Sequence, residues 1–398
     1  MPALDDFCLS DGTLMQISME FDQELYWSIE DGNKRMLRCL PTFVMERPTG
    51  EERGEFALID LGGTNLRVGI GKLKGNQMYE LEVKETLIPD NIKECPGERL
   101  IEFIAENLLD FTTFLTWGRI DVGFTFSFPV SQQALNHAEI IQFNKGFKCS
   151  GIIGKDVVRL LQERLPSKYR VCALVNDTVG TLMAHAYKNP ATTMSCILGT
   201  GTNAAYWDVV DGKMMVVNIE WGAYGDDHHN LLPFTRYDHE LDEQSENVGK
   251  QRFEKMVSGM YLGELFRLVS KAKLKSHYEC PYSVDSSMLS DVSGLLEDPS
   301  NQEESQVLAN IIMDRSAKLA ASLIAGVYIR SLKQTPIDDF VVAVDGSLYT
   351  KNARYRKVMH ETIEIILGPN RRIKFETSDG EPLIGSAIAA VVNHAIYQ

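Results

Sequence analysis

Phe56-Ala57-Leu58-Ile59-Asp60-Leu61-Gly62-Gly63-Thr64-Asn65 reads as an apolar strand that closes on a carboxylate and a glycine turn. A second strand runs from Asn65 to Leu73, and Lys74-Gly75-Asn76 turns it into a third around Met78 to Leu87. The pattern then returns. Met194-Ser195-Cys196-Ile197-Leu198 leads into Gly199-Thr200-Gly201, a strand from Asn203 to Val209, the turn Asp211-Gly212 and a strand from Met214 to Ile219. A strand–glycine turn–strand unit that occurs twice predicts a duplicated α/β unit with a ligand between its halves. Outward from these units, helical spacing is predicted at 12–40, 98–115, 153–165, 178–188, 245–275, 304–333 and 353–367, with a last helix from about Pro382. Further strands are predicted from Ile120 to Phe128, Arg170 to Val175, at 340–345 and near Ile373. The acidic, Ser-rich stretch from Ser283 to Ser305 is the best loop candidate.

The chain has 398 residues, which at about 150 per domain suggests two or three compact units. A hydrophobic fraction of 44% supports a sizeable core and excludes disorder as the main state. The net charge of -15 argues against a general nucleic-acid binder and against docking on an anionic membrane. No apolar run approaches the roughly 18 residues of a membrane helix. The acidic start, MPALDDFCLSDG, reads as neither a signal nor a transit peptide, so a cytoplasmic protein is expected. Seven cysteines without a C-x-x-C pair fit reduced thiols. Asp226, Asp227, His228, His229 and His239 fall in a predicted surface loop and are not read as a metal site.

Glycine turns let backbone N–H groups approach phosphate closely, although each alone is also an ordinary tight turn. Neither is a Walker loop. Gly199-Thr200-Gly201-Thr202-Asn203-Ala204 fits G-x-G-x-x-A, and Glu220 stands about where a ribose-binding acid would. A dinucleotide fingerprint must open a helix, however, whereas Ala204 to Ile219 reads as a hairpin. Asp177 stands where an apolar strand ends and a helix begins, a place that suits either a catalytic carboxylate or a helix cap. Asp60 also closes an apolar strand beside a glycine turn. Together they suggest a magnesium–nucleotide site with an additional base.

The stretch FALIDLGGTNLRVGIGKL (56–73) resembles the first phosphate motif of hexokinases, and GFTFSFPV (123–130) resembles their sugar signature. Asn176-Asp177-Thr178, ILGTGTNAAYW (197–207), NIEWGAYGD (218–226) and VAVDGSLY (342–349) follow in the family's order. The resemblance runs from about Leu40 to the C-terminus. It implies a two-lobed actin-like (ribonuclease H-like) α/β fold with a central sugar/ATP cleft. The small lobe is expected over 45–178 plus 380–398, and the large lobe over 1–44 plus 179–379. It also implies ATP-dependent phosphorylation of a hexose, foremost D-glucose, at the 6-hydroxyl, with Asp177 as base. Ser127, Asn144, Lys145, Asn176, Asn203, Glu220, Gln251 and Glu254 match positions around the hexose. Asp60, Gly62, Gly63, Thr64, Asn65 and Arg67 match the first phosphate loop, Thr200 and Gly201 the second, and Gly346 and Ser347 the nucleoside-side turn. Mg²⁺ is expected to ride on ATP, so no protein ligand is assigned, and a monomer or homodimer is expected.

The chain departs from the family in places. Phe143-Asn144-Lys145-Gly146-Phe147 stands where Trp-Thr-Lys-Gly-Phe is usual, and Met260 where a nucleotide-side Lys is common. Asp379 to Ala387 differs from the usual Gly-Ser-Gly pattern. The chain is shorter than a typical catalytic unit before Leu40 and around 280–305, and no apolar mitochondrial anchor is read at its start. The altered nucleotide side leaves open a hexose-binding sensor using the same cleft. An actin- or chaperone-like ATPase is a third reading, disfavoured by Ser127-Phe128-Pro129 and Asn176-Asp177.

Overall fold

The computed structural model describes residues 5–31, 35, 37–116, 118–143, 145–227, 231–274, 280–291, 302–334, 339–369, 371, 373–378 and 382–393. After a helix at Asp11–Glu30 the chain forms the short strand β1 (Leu40–Pro41) and the meander β2 (Arg53–Leu61), β3 (Asn65–Gly75) and β4 (Met78–Leu87). Then come β5 (Ile120–Phe126), the hairpin β6 (Val130–Ala134) and β7 (His137–Ile140), and β8 (Tyr169–Val175). A second meander, β9 (Thr192–Leu198), β10 (Thr202–Val210) and β11 (Lys213–Asn218), is followed by β12 (Phe340–Asp345) and β13 (Ile373–Thr377).

The two sheets have one topology. The first runs β4-β3-β2-β5-β8; the second runs β1-β11-β10-β9-β12-β13, the same order with one added edge strand. In each the meander is antiparallel and the later strands join parallel: Asp60 pairs with Thr125, and Ile197 with Asp345. Both halves thus bring a glycine turn and strand-end carboxylates to the carboxyl ends of parallel strands, where open α/β sheets bind ligands.

Each lobe has its own core. Leu100, Ile104 and Leu108 of the helix Gly97–Phe111 pack on the first sheet. Each fully buried side chain of this kind contributes about 1.5–3 kcal/mol. The long helix Gln302–Gln334 organises the other core, with Phe21 and Leu25 of the first helix and Tyr355 and Met359 of Ala353–Leu367. A third cluster joins the lobes: the helices Asp177–Lys188 and Pro382–Val392 cross between the sheets, burying Leu182, Ile384 and Ile388 with Leu58, Ala205 and Val216. An ideal Cβ on Gly385 would lie 2.0 Å from the Gly180 carbonyl oxygen, so these helices cross at backbone contact.

Several expected boundaries move. The helix read over 12–40 stops at Glu30, with Asp31 as C-cap, and Leu40–Pro41 instead pairs with Asn218 and Val217. Proline without an N–H is tolerated on such an edge strand. The helix read over 153–165 contracts to Val157–Gln162, because Asp156 caps it and also accepts from Ala138. The helix read over 245–275 is two, Arg252–Val257 and Gly259–Leu274, preceded by Arg236–Gln244. Gln251 in the left-handed region (φ 55°) and Ser258 in extended conformation make the breaks. In the predicted loop 283–305, Ser286–Ser290 is a 3-10 turn, the long helix begins at Gln302, and 292–301 lie outside the described residues.

Candidate active site

Asp177 opens the helix Asp177–Lys188, and Asn176, not Asp177, is its cap: the Asn176 Oδ1 accepts the Thr178 N–H at 2.9 Å. Asp177 Oδ1 accepts the same N–H at 2.8 Å, leaving Oδ2 toward the cleft, 3.6 Å from Lys145 Nζ. Lys145 Nζ donates to the Ser127 carbonyl at 2.9 Å, and its stem lies over Gly63, where a Cβ would come within 3.0 Å of it. Strand end, glycine turn and loop are therefore tied at one point.

Asn203 is the hub of a second, buried group. Its amide donates to Asn218 Oδ1 at 2.9 Å and, more loosely, to Asn176 Oδ1 and Glu220 Oε1, each at 3.4 Å. Its oxygen accepts from the Glu220 N–H at 3.1 Å, and Asn218 donates to Glu220 Oε1 at 2.8 Å. Glu220 has left-handed backbone (φ 57°), which turns its side chain inward after β11. Burial pushes its carboxyl upward, with the Asp177 charge adding and the Asn218 amide opposing. Glu254 is likewise raised by burial, partly offset by the Thr202 N–H, which it accepts at 3.0 Å. Gln251 is held by Asp226, whose carboxylate accepts the Gln251 and Arg252 N–H groups at 3.0 and 2.9 Å. Amides and carboxylates so arranged present paired acceptors and donors to vicinal hydroxyls.

Asp60 is buried at the end of β2, with Arg67 Nη1 3.4 Å away. Burial pushes its carboxyl up to about 6, opposed by Arg67 and reinforced by Asp177. Arg67 is shared with Glu85, which also accepts from Asn65 at 3.0 Å. Gly62 closes the first turn by donating to the Asn65 carbonyl. In the second turn, Gly199 and Thr200 carbonyls accept from Gly259 and Met260 at the start of Gly259–Leu274. Gly346, at φ 103°, packs 3.5 Å from where a Gly199 Cβ would stand, so the second turn and the nucleoside-side turn abut. Thr64, Thr200 and Ser347 face solvent at these turns.

Asn144 lies outside the described residues, as do His228 and His229. Asp226, expected in a surface loop, is buried because it caps the chain at Gln251. Three contributors were not singled out from sequence: Asn218, Thr202 and Asp345. Asp345 closes β12 before Gly346 as Asp60 closes β2, and it senses the charges of Asp177 and Arg67. That repeated strand–carboxylate–glycine pattern was its available signal. Among the described residues no group of three or more His, Cys, Asp or Glu could hold a metal ion.

Two family models, both described as Hexokinase, match residues 2–187 and 193–392. The chain belongs to the hexokinase family. It is 36% identical to the hexokinase of Schwanniomyces occidentalis, over 88% of this chain and 82% of that one. It is 33% identical to human Hexokinase-2 over 98% of this chain, spanning 47% of that relative's length. The Schistosoma mansoni hexokinase solved with glucose superposes with a TM-score of 0.87 at 30% identity, covering 98% of this chain and 97% of that one. The two-lobed α/β sugar-kinase fold of the hexokinase family is therefore this chain's fold. Several of the mammalian relatives are about twice its length.

Proposed function

We propose that this chain transfers the γ-phosphoryl group of Mg-ATP to the 6-hydroxyl of a hexose, foremost D-glucose, giving hexose 6-phosphate as in the first step of glycolysis. The carrying observation is Asp177, its free oxygen facing Lys145 between a buried amide–carboxylate cluster and the glycine turns. Asn176, Asn203, Glu220, Gln251 and Glu254 bind the ring hydroxyls, with Ser127 at the other side. A site built to hydrogen-bond each hydroxyl rejects sugars that lack one, because buried polar atoms are then left unpaired. The 6-hydroxyl donates to Asp177, which takes the proton as the oxygen attacks phosphorus.

Phosphoryl transfer has a loose transition state, so positioning and charge neutralisation dominate. Lys145 and Arg67 neutralise charge on the transferring group. The glycine turns around Gly62, Gly63, Thr64 and Asn65 and around Thr200 and Gly201 donate N–H groups to phosphate oxygens, and Gly346 and Ser347 border the nucleoside. Mg²⁺ arriving on ATP supplies further neutralisation of the phosphate oxygens. Asp60 and Asp345 are the hard oxygen donors that would hold it, through bound water.

A sugar panel assayed with Mg-ATP tests the reading: hexose-dependent ADP release is expected, with glucose turned over. Asp177→Ala is expected to lose about 10²–10⁴-fold in kcat while still binding sugar. Undiminished kcat in Asp177→Ala would refute the base assignment. Hexose binding without turnover by the unaltered protein would replace the enzyme reading with a hexose-binding module.

A further inference from the structure

Cys95 and Cys149 meet on the small lobe, behind the loop that carries Lys145. Both thiols donate to one acceptor, the Ile92 carbonyl oxygen, at 3.1 and 3.4 Å, and Cys149 also reaches the Lys93 carbonyl at 3.3 Å. They directly precede the paired positions of a parallel bridge, Pro96 with Ser150. Backbone hydrogen bonds clamp both sides of the pair, Lys148 N–H to Lys93 and Gly97 N–H to Ser150, each 2.8 Å. Adjacent strands run about 4.7–4.9 Å apart. That falls within the roughly 4.4–6.8 Å Cα separation a disulfide bridges. Cys149 is buried and Cys95 half-buried, so one thiol is open to a reagent and the other waits beneath it. Burial and the adjacent Cys95 sulfur push the Cys149 thiol up to about 12, so the first attack falls to the more open Cys95.

We propose that Cys95 and Cys149 form a reversible disulfide that staples the loop 145–149 to the segment 92–95 and weakens hexose binding. The reaction is thiol–disulfide exchange with a small-molecule disulfide. The Cys95 thiolate attacks one sulfur of the reagent, forming a mixed disulfide and expelling a thiolate. The Cys149 thiol gives its proton to that departing thiolate and attacks the Cys95 sulfur, breaking the mixed disulfide and expelling the second thiolate. The protein loses two electrons and two protons, and the reagent becomes two thiols. The loop is already held on its other side, where Phe143 and Phe147 pack on Phe128 with ring centroids 5.1 and 4.9 Å away. A covalent tie at Cys149 removes the remaining freedom of Lys145 to follow a substrate.

The effect on hexose rests on the role given to Lys145 above; the cross-link itself does not. The whole protein is equilibrated in glutathione–glutathione disulfide buffers, alkylated, digested and mapped by mass spectrometry, with kinetics run in parallel. A Cys95–Cys149 linked peptide is expected, with alkylated thiols falling from the seven of the sequence to five. The KM for glucose is expected to rise at least threefold, to recover with dithiothreitol, and to stay constant in Cys95→Ser, whose reduced-state kinetics match the parent. Absence of the linked peptide, or a KM shift that persists in Cys95→Ser, overturns the proposal. A linked peptide with unchanged KM overturns its regulatory half. A linked peptide in a protein without hexose turnover supports the dithiol and counts against the functional reading instead.

Discussion

Asp60 sits 4% exposed with Arg67 as its cationic neighbour, and its carboxyl is raised from 3.8 to about 6. A raised folded value means that the fold prefers the proton: this stabilisation is complete below about pH 3.8 and is lost as pH rises through about 6. Asp60→Asn is therefore expected to be more stable than the parent by about 1–3 kcal/mol at pH 7, since one pKa unit is about 1.4 kcal/mol. The advantage should vanish near pH 4, and urea melts at the two pH values read it. The same ionisation should give kcat/KM for Mg-ATP an acidic limb near pH 6, absent in the variant. Asn218 makes a different case. It bridges Asn203 and Glu220, and Asn218→Ala leaves both with an unmade hydrogen bond. About 1–2 kcal/mol, or roughly a tenfold higher hexose KM with smaller loss in kcat, is expected from steady-state kinetics. Asp60 and Asp177 were legible from sequence because each ends an apolar run. Asn218 was not, because its importance depends on which two strands lie beside it.

The helices Asp177–Lys188 and Pro382–Val392 carry Asp177, the proposed base, and the connection between lobes, and they touch through Gly180 and Gly385. A Cβ on Gly180 would stand 2.4 Å from the Pro382 carbonyl oxygen. Gly180→Ala or Gly385→Ala must push one helix outward, and overpacking of this kind costs about 1–3 kcal/mol. Because Asp177 opens one of these helices, kcat is expected to fall more than tenfold in either variant, with the lower melting temperature seen by calorimetry. Elsewhere, element type was easier to read than element limits. Apolar periodicity found the helix at 98–115, but it ran through the breaks at Gln251 and Ser258, whose side chains are compatible with helix. Those breaks come from tertiary bonds: Asp226 holds the Gln251 N–H, and the Gly199 and Thr200 carbonyls hold the Gly259 and Met260 N–H groups that follow Ser258. The hairpin Val130–Ala134 with His137–Ile140 escaped the reading because its strands are short and half polar.

Two sheets of the same strand order face each other across the strand ends that carry Asp60, Asp177, Asn203 and Asp345. A ligand that bridges both lobes binds the folded chain and not the unfolded one, so glucose at 100 times its Kd should add about 2.7 kcal/mol. A glucose-dependent rise in melting temperature, much reduced in Asn203→Ala, is the expected calorimetric result. Net charge argues against polyanionic partners in bulk, yet the proposed co-substrate ATP is a polyanion; in that proposal backbone N–H groups and the cations Arg67 and Lys145 answer it locally. The sequence by itself determined the duplicated strand–glycine–strand unit, the family and the residue types of the cleft, because glycine turns and strand-end carboxylates are local chemistry. The tertiary structure alone decided which of them meet. Lys145 approaches Asp177, Asn203 gathers Asn218 and Glu220, and Cys95 lies against Cys149, because parallel strand pairing and helix crossing join segments far apart in the chain, and no local pattern encodes that distance.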